Sequence, residues 1–178
     1  MSRRLALALL ALGLIALPLA ACGGEEEELD VIEGEPIESD EVLYNVVISR
    51  FLNPDDEEDS AYLEGQPEPP PGEEYFGIFM QVMNESDVPI SLPDDVTVVD
   101  TVETEYVPVE TENPFALPLG EELPAGEELP VPNSIAADGP TGGSLILFLL
   151  QEQSTENRPL ELEFRVPSGD TAVIELDI

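Results

Sequence analysis

The chain has 178 residues, 40 of them acidic, with five arginines, no lysine and no histidine, for a formal charge of −35. No basic patch exists to release counterions from phosphates, so nucleic acid is excluded as a partner. The missing His and Lys also remove Ser-His, Cys-His, Ser-Lys and Schiff-base catalysis. A single cysteine, Cys22, rules out any intramolecular disulfide.

Residues 1–24 read MSRRLALALLALGLIALPLAACGG. Arg3 and Arg4 form a short positive start, Leu5 to Leu17 an apolar run of strong helix formers, and Pro18 ends that run. Leu19-Ala20-Ala21-Cys22 then follows the lipobox pattern, with small residues suited to a narrow peptidase cleft and a thiol able to carry a diacylglyceryl group. In this order the features predict a cleaved lipoprotein signal peptide over 1–21, with Cys22 the acylated first residue of the mature chain. The 17 residues from Leu5 to Ala21 are short for a bilayer span, and glutamates rather than a positive stop-transfer cluster follow them. Two or three acyl chains hold a protein on a membrane where one binds only marginally. The predicted address is the cell membrane, lipid-anchored on its extracytoplasmic face. Ser2-Arg3-Arg4 matches a twin-arginine signal only in part, which favours general secretion.

Cleavage after Ala21 leaves 157 residues, enough for one domain with a real core. Three arginines against 40 acids give this part a charge of −37. Such a surface repels anionic lipid and attracts cations and basic proteins over a short range. Ten of the 17 residues in 25–41 (EEEELDVIEGEPIESDE) are acidic, interrupted by Gly34 and Pro36. That composition predicts a disordered acidic tether over 22–41, with a stretched reach of about 60 Å for residues 25–41.

From Val42 the pattern becomes that of strands. Val42 to Arg50 alternates, with Val42, Tyr44, Val46 and Ile48 on one face. Asn53 to Glu74 holds DDEED, three consecutive prolines and two glycines, and is expected to be an irregular, disordered loop. Tyr75 to Asn84 is the best core strand, with Phe76, Ile78, Met80 and Val82 inward. A turn at 84–87 precedes a short edge piece, Val88 to Leu92, and a hairpin of Val96–Val99 with Glu105–Val109. The repeat Gly120-Glu-Glu-Leu-Pro and Gly126-Glu-Glu-Leu-Pro reads as an extended surface connection, and Ser134 to Ala137 as a brief strand. Ser144 to Leu150 is almost continuously apolar and therefore central. Leu160–Val166 and Thr171–Ile178 form a hairpin across Ser168-Gly169-Asp170. Seven to nine short strands without a sustained helical period predict an all-β fold, an immunoglobulin-like antiparallel β-sandwich over 42–178. The Cys…Trp…Cys hallmark of antibody domains is absent.

The lipobox, the acidic segment, Tyr44-Asn45-Val46-Val47-Ile48 and then Phe79-Met80-Gln81-Val82-Met83-Asn84-Glu85-Ser86 together resemble a lipoprotein domain family. This is the uncharacterised Ig-like domain of Gram-positive and actinobacterial lipoproteins, related to telomeric-repeat-binding-factor-like domains of unknown function. Ala125-Gly126 and Gly143-Ser144-Leu145-Ile146-Leu147-Phe148 match the turn and the Gly-led strand of that pattern. The resemblance spans about 42–178 and implies a fold and an address, with no active site to transfer. The extreme acidity and the Pro/Glu-rich stretch 117–132 depart from it.

Carboxylate pairs are the one catalytic option left, and 40 acids make accidental pairs unavoidable, so no catalytic residue, metal ligand or cofactor is assigned. Asp55-Asp56-Glu57-Glu58-Asp59 lacks the spaced order of a calcium loop and reads as a solvated run. Met80 and Met83 read as packing rather than copper ligands, and Asn84-Glu85-Ser86 as a turn rather than a glycosylation sequon. The expectation is a membrane-anchored, non-catalytic binding module that uses sheet edges or the 53–74 segment to engage a protein or envelope polymer. A calcium-binding acidic surface protein is the alternative.

Overall fold

The computed structural model describes residues 27–178. The expected signal peptide and the lipobox residues Leu19, Ala20, Ala21 and Cys22 lie outside them. The described residues form strands β1 (Glu28–Ile32), β2 (Ile37–Ser39), β3 (Val42–Phe51), β4 (Glu73–Asn84), β5 (Ile90–Ser91), β6 (Thr97–Val99), β7 (Glu105–Tyr106), β8 (Glu122–Leu123), β9 (Glu128–Leu129), β10 (Ser144–Gln151), β11 (Leu160–Arg165) and β12 (Thr171–Leu176). One short helix, α1 (Glu57–Tyr62), and a 3-10 turn, Glu152–Glu156, complete the elements.

Two sheets face each other. One runs β1-β12-β11-β6-β7, the other β10-β4-β3-β2 with β9 also on β4, while β5 and β8 pair separately. Alternation on each strand sends one set of side chains between the sheets. Tyr44, Val46, Phe76, Ile78 and Met80 meet Leu162, Phe164 and Ile174 in one buried cluster. The rings of Tyr44 and Phe164 bridge the two sheets with centroids 5.2 Å apart. The fold is a β-sandwich, as the strand pattern predicts.

Five local expectations need correction. First, 28–39 is not a disordered tether. It is β1 and β2, a strap that joins the edge of one sheet and then the edge of the other. Leu29 and Val31 pack against the core and Ile37 is buried, while Glu28 and Asp30 point outward. Alternation within an acidic run hides β1, since two of its five residues, Glu28 and Asp30, are acids on the solvent side. Glu33, between the two strands, accepts hydrogen bonds from the Ser49 N–H (3.1 Å), the Ser49 hydroxyl and the Asp177 N–H (3.3 Å). Second, the sandwich is not wholly antiparallel, because β1 pairs with β12 in parallel, Glu28 opposite Thr171.

Third, Ile48 does not face inward. The β3–β4 register shifts between Val46 and Ile48, a β-bulge. The extra residue reverses the alternation, leaving Ile48 37% exposed and turning Ser49 into the interior. Fourth, the repeat at 120–130 is not a bare connection. The Glu-Leu of each copy forms a two-residue strand, Leu123 opposite Ile90 and Leu129 opposite Val82. Fifth, Ser134 to Ala137 is a turn, in which the Ala137 N–H donates to Ser134 Oγ at 3.2 Å.

Asn84, Ser86 and Gly126 meet in space. Asn84 ends β4 fully buried. Its Nδ2 donates to the carbonyls of Val88 (2.9 Å), Leu123 (3.1 Å) and Pro124 (3.0 Å), and its Oδ1 accepts from Ser86 N–H and Oγ. Gly126, at φ +70°, donates its N–H to the Asn84 carbonyl. Gly143 leads β10 so close to β4 that a Cβ there would lie 3.0 Å from the Phe79 backbone carbon.

Candidate binding surface

The most elaborated surface is the 53–74 segment, whose expected disorder also needs correction. Leu52 leaves β3 still hydrogen-bonded, its N–H to the Tyr75 carbonyl at 2.8 Å. Asp56 then caps α1, accepting from the N–H groups of Glu58 (2.9 Å) and Asp59 (3.3 Å). Glu57, Glu58 and Asp59 fill the first turn, where negative charge opposes the free N–H groups favourably. The DDEED run is thus a helix start rather than a solvated loop.

Arg50 of β3 fastens α1 to the sheet. Its Nη1 lies 2.6 Å from Asp59 Oδ1 and its Nη2 3.3 Å from Glu58 Oε1. Asp59 is buried, and its second oxygen accepts the Asn53 N–H at 2.8 Å. The guanidinium sits over the rings of Tyr62 and Phe79 at 6.0 and 5.7 Å, where ring quadrupoles favour a cation. Tyr62 packs edge-on against Phe79 and Phe115, with centroids 4.9 and 4.7 Å away, and its hydroxyl hydrogen-bonds Thr141 at 3.1 Å. With Leu52, Leu63, Tyr75, Leu145 and Leu147 these rings make a second apolar layer on the outer face of β4 and β10. Burial raises the Tyr62 phenol above its ordinary value, against the opposing effect of the Thr141 hydrogen bond, and burial raises Tyr75 as well.

Beyond α1 the proline run is also fixed. The Tyr75 hydroxyl donates to the Pro67 carbonyl at 3.0 Å, and Gly72 accepts the Glu152 N–H at 3.0 Å. Pro69, Pro70 and Pro71 line an open groove of about 400 Å³ together with Phe51, Leu52 and Tyr75 and the acids Glu73, Glu74 and Glu152. The lining combines apolar and acidic side chains, a setting for an extended segment with positive side chains.

The other marked residues have structural roles. Asn84 spends its amide on three carbonyls, which leaves the sequon nitrogen enclosed. Met80 is buried and Met83 is 37% exposed, on opposite faces of β4. Among the described residues no three His, Cys, Asp or Glu side chains are placed to hold a metal ion. Arg50 and Tyr62 escape notice in the sequence alone, although an acid followed by an acidic first turn and Tyr62-Leu63 is a helix-start signal.

The architecture defines a β-sandwich protein, and comparison with solved structures agrees. The crystal structure of an uncharacterized beta-sandwich protein from Clostridium difficile 630 is similar over 86% of this chain and 97% of its own, at 16% identity and a TM-score of 0.50. A conserved hypothetical protein from Bacillus anthracis aligns over 81% of this chain and 94% of its own, at 13% identity and a TM-score of 0.47. No family model matches the chain, and no curated protein matches it.

Proposed function

We propose that this is an extracytoplasmic lipoprotein, anchored to the cell membrane through Cys22, whose sandwich is a non-catalytic binding module. The observation that carries the address is the ordered series Arg3-Arg4, the apolar run, Pro18 and Leu19-Ala20-Ala21-Cys22. The module reading draws support from a chain without His or Lys and from a hydrogen-bonded groove beside Pro69–Pro71. The partner is a basic protein segment or envelope polymer, in keeping with the acids in the lining. The Ig-like lipoprotein kinship is part of the same proposal, supported by the way Asn84 and Gly126 lock together.

Metabolic labelling with an alkyne fatty acid tests the anchor. Wild type takes up label and Cys22→Ser does not; an unlabelled wild-type chain in the cytoplasm overturns the reading. Photo-crosslinking in cells from position 68, beside the groove, tests the module. A discrete adduct is expected there and not from position 163 on the opposite sheet; adducts from neither, or equally from both, count against it.

A further inference from the structure

The chain enters the described fold at the β11–β12 turn. The Glu27 N–H donates to Asp170 Oδ1 at 3.0 Å, and the Thr171 N–H to the Glu27 carbonyl at 3.0 Å. Ser39 Oγ, at the foot of β2, donates to Ser168 Oγ at 3.0 Å, and the Glu85 N–H to the Glu41 carbonyl at 2.8 Å. The turns at 40–41, 84–88 and 166–170 therefore share one end of the sandwich with the entering chain. The groove lies at the other end. β3 starts at Val42 beside these turns and reaches Phe51 of the groove wall ten residues along, an extended run of about 30 Å.

Only five residue steps separate Cys22 from Glu27, a reach of at most about 18 Å. We infer that a lipid on Cys22 seats the turn end of the sandwich on the bilayer surface and holds the 53–74 groove outward, facing away from the lipid. This rests on the anchor reading above. It replaces a module on a long leash with one of fixed orientation. Asp40, Glu41, Glu85 and Asp87 are exposed at the seated end. They repel anionic headgroups within about 8 Å, so the domain stands on the surface without entering it.

The test uses the full lipidated chain, extracted from membranes and reconstituted into phosphatidylethanolamine–phosphatidylglycerol vesicles. Asp87→Cys and Glu68→Cys, made separately, each supply one free thiol for a fluorophore, quenched by a nitroxide on the lipid headgroup. Quenching at 87 is expected to exceed that at 68 by at least about threefold, given the separation of about 30 Å between the two ends. A flexible insert of about 20 Gly/Ser residues after Gly24, with a reach of about 25 Å, brings the ratio toward one. Equal quenching at the two positions, a stronger effect at 68, or a ratio untouched by the insert overturns the orientation while the anchor stands. A chain that fails to float with the vesicles, with Cys22 of unmodified mass, overturns both.

Discussion

Tyr44 is fully buried between the sheets, and its hydroxyl has no hydrogen-bond partner among the described residues. Burial pushes its phenol up to about 12. An unmade buried hydrogen bond costs about 1–3 kcal/mol, so Tyr44→Phe is expected to stabilise the domain by about 1 kcal/mol, read from chemical denaturation. Asn84 is the opposite case, a buried amide with every hydrogen-bonding group engaged. Asn84→Ala strands several partners in the interior and is expected to cost about 3 kcal/mol or more. Glu163 has no such shelter. Burial first, then the charges of Glu161, Glu28 and Glu105, raises its carboxyl above the ordinary glutamate value of 4.5. A carboxyl raised in the folded state weakens the fold once ionised and is harmless when protonated. Glu163→Gln is therefore expected to raise Tm at pH 7, and the gain to fade as pH falls through the raised value and to be gone below 4.5, in thermal melts across pH. Asp100 works in the other direction. Burial alone would raise it, but the Thr104 and Val102 N–H groups and the Asn157 amide outweigh burial and hold it below 3.8. Its contribution is present above that value and is lost as pH falls through the lowered one.

At the level of elements, α1 depends on one cation. Arg50→Ala leaves Asp59 buried without its counter-charge and takes the guanidinium away from the Tyr62 and Phe79 rings. A loss of about 3 kcal/mol is expected, together with proteolytic cleavage in 53–74 that wild type resists. The long strands were legible because uninterrupted alternation or a continuous apolar run survives in one dimension: β4, β10, β11 and β12 lie within a residue or two of where the pattern puts them. What escaped did so for three physical reasons. β1 carries acids on its solvent face, so composition resembles a disordered tail while Leu29 and Val31 keep the period of two. α1 is six residues long, too short for a helical period, and its stability comes from Arg50, a partner outside the helix. The bulge after Val46 moves Ile48 outward, and no residue type in 42–51 announces it. The groove was foreseen only as a segment, 53–74, because its walls come from Phe51, the prolines and Tyr75, which the fold alone brings together.

For the whole molecule, 40 acids against five arginines make self-repulsion the dominant long-range force. Repulsion of this kind opposes the compact state and is screened by salt. Tm is expected to rise between about 10 mM and 500 mM sodium chloride, and magnesium at matched ionic strength should add little, since among the described residues no three carboxylates are placed to hold a metal ion. The parallel pairing of β1 with β12 carries a mechanical corollary. If the proposed anchor and groove are both engaged, a pull arriving at Glu27 runs along the axis of β1 and the resistance acts at the far tip. Such a load strains the β1–β12 rungs together, in shear, instead of peeling them apart one after another. A molecule stretched between an anchor and a captured ligand would thus meet the force with its most resistant geometry.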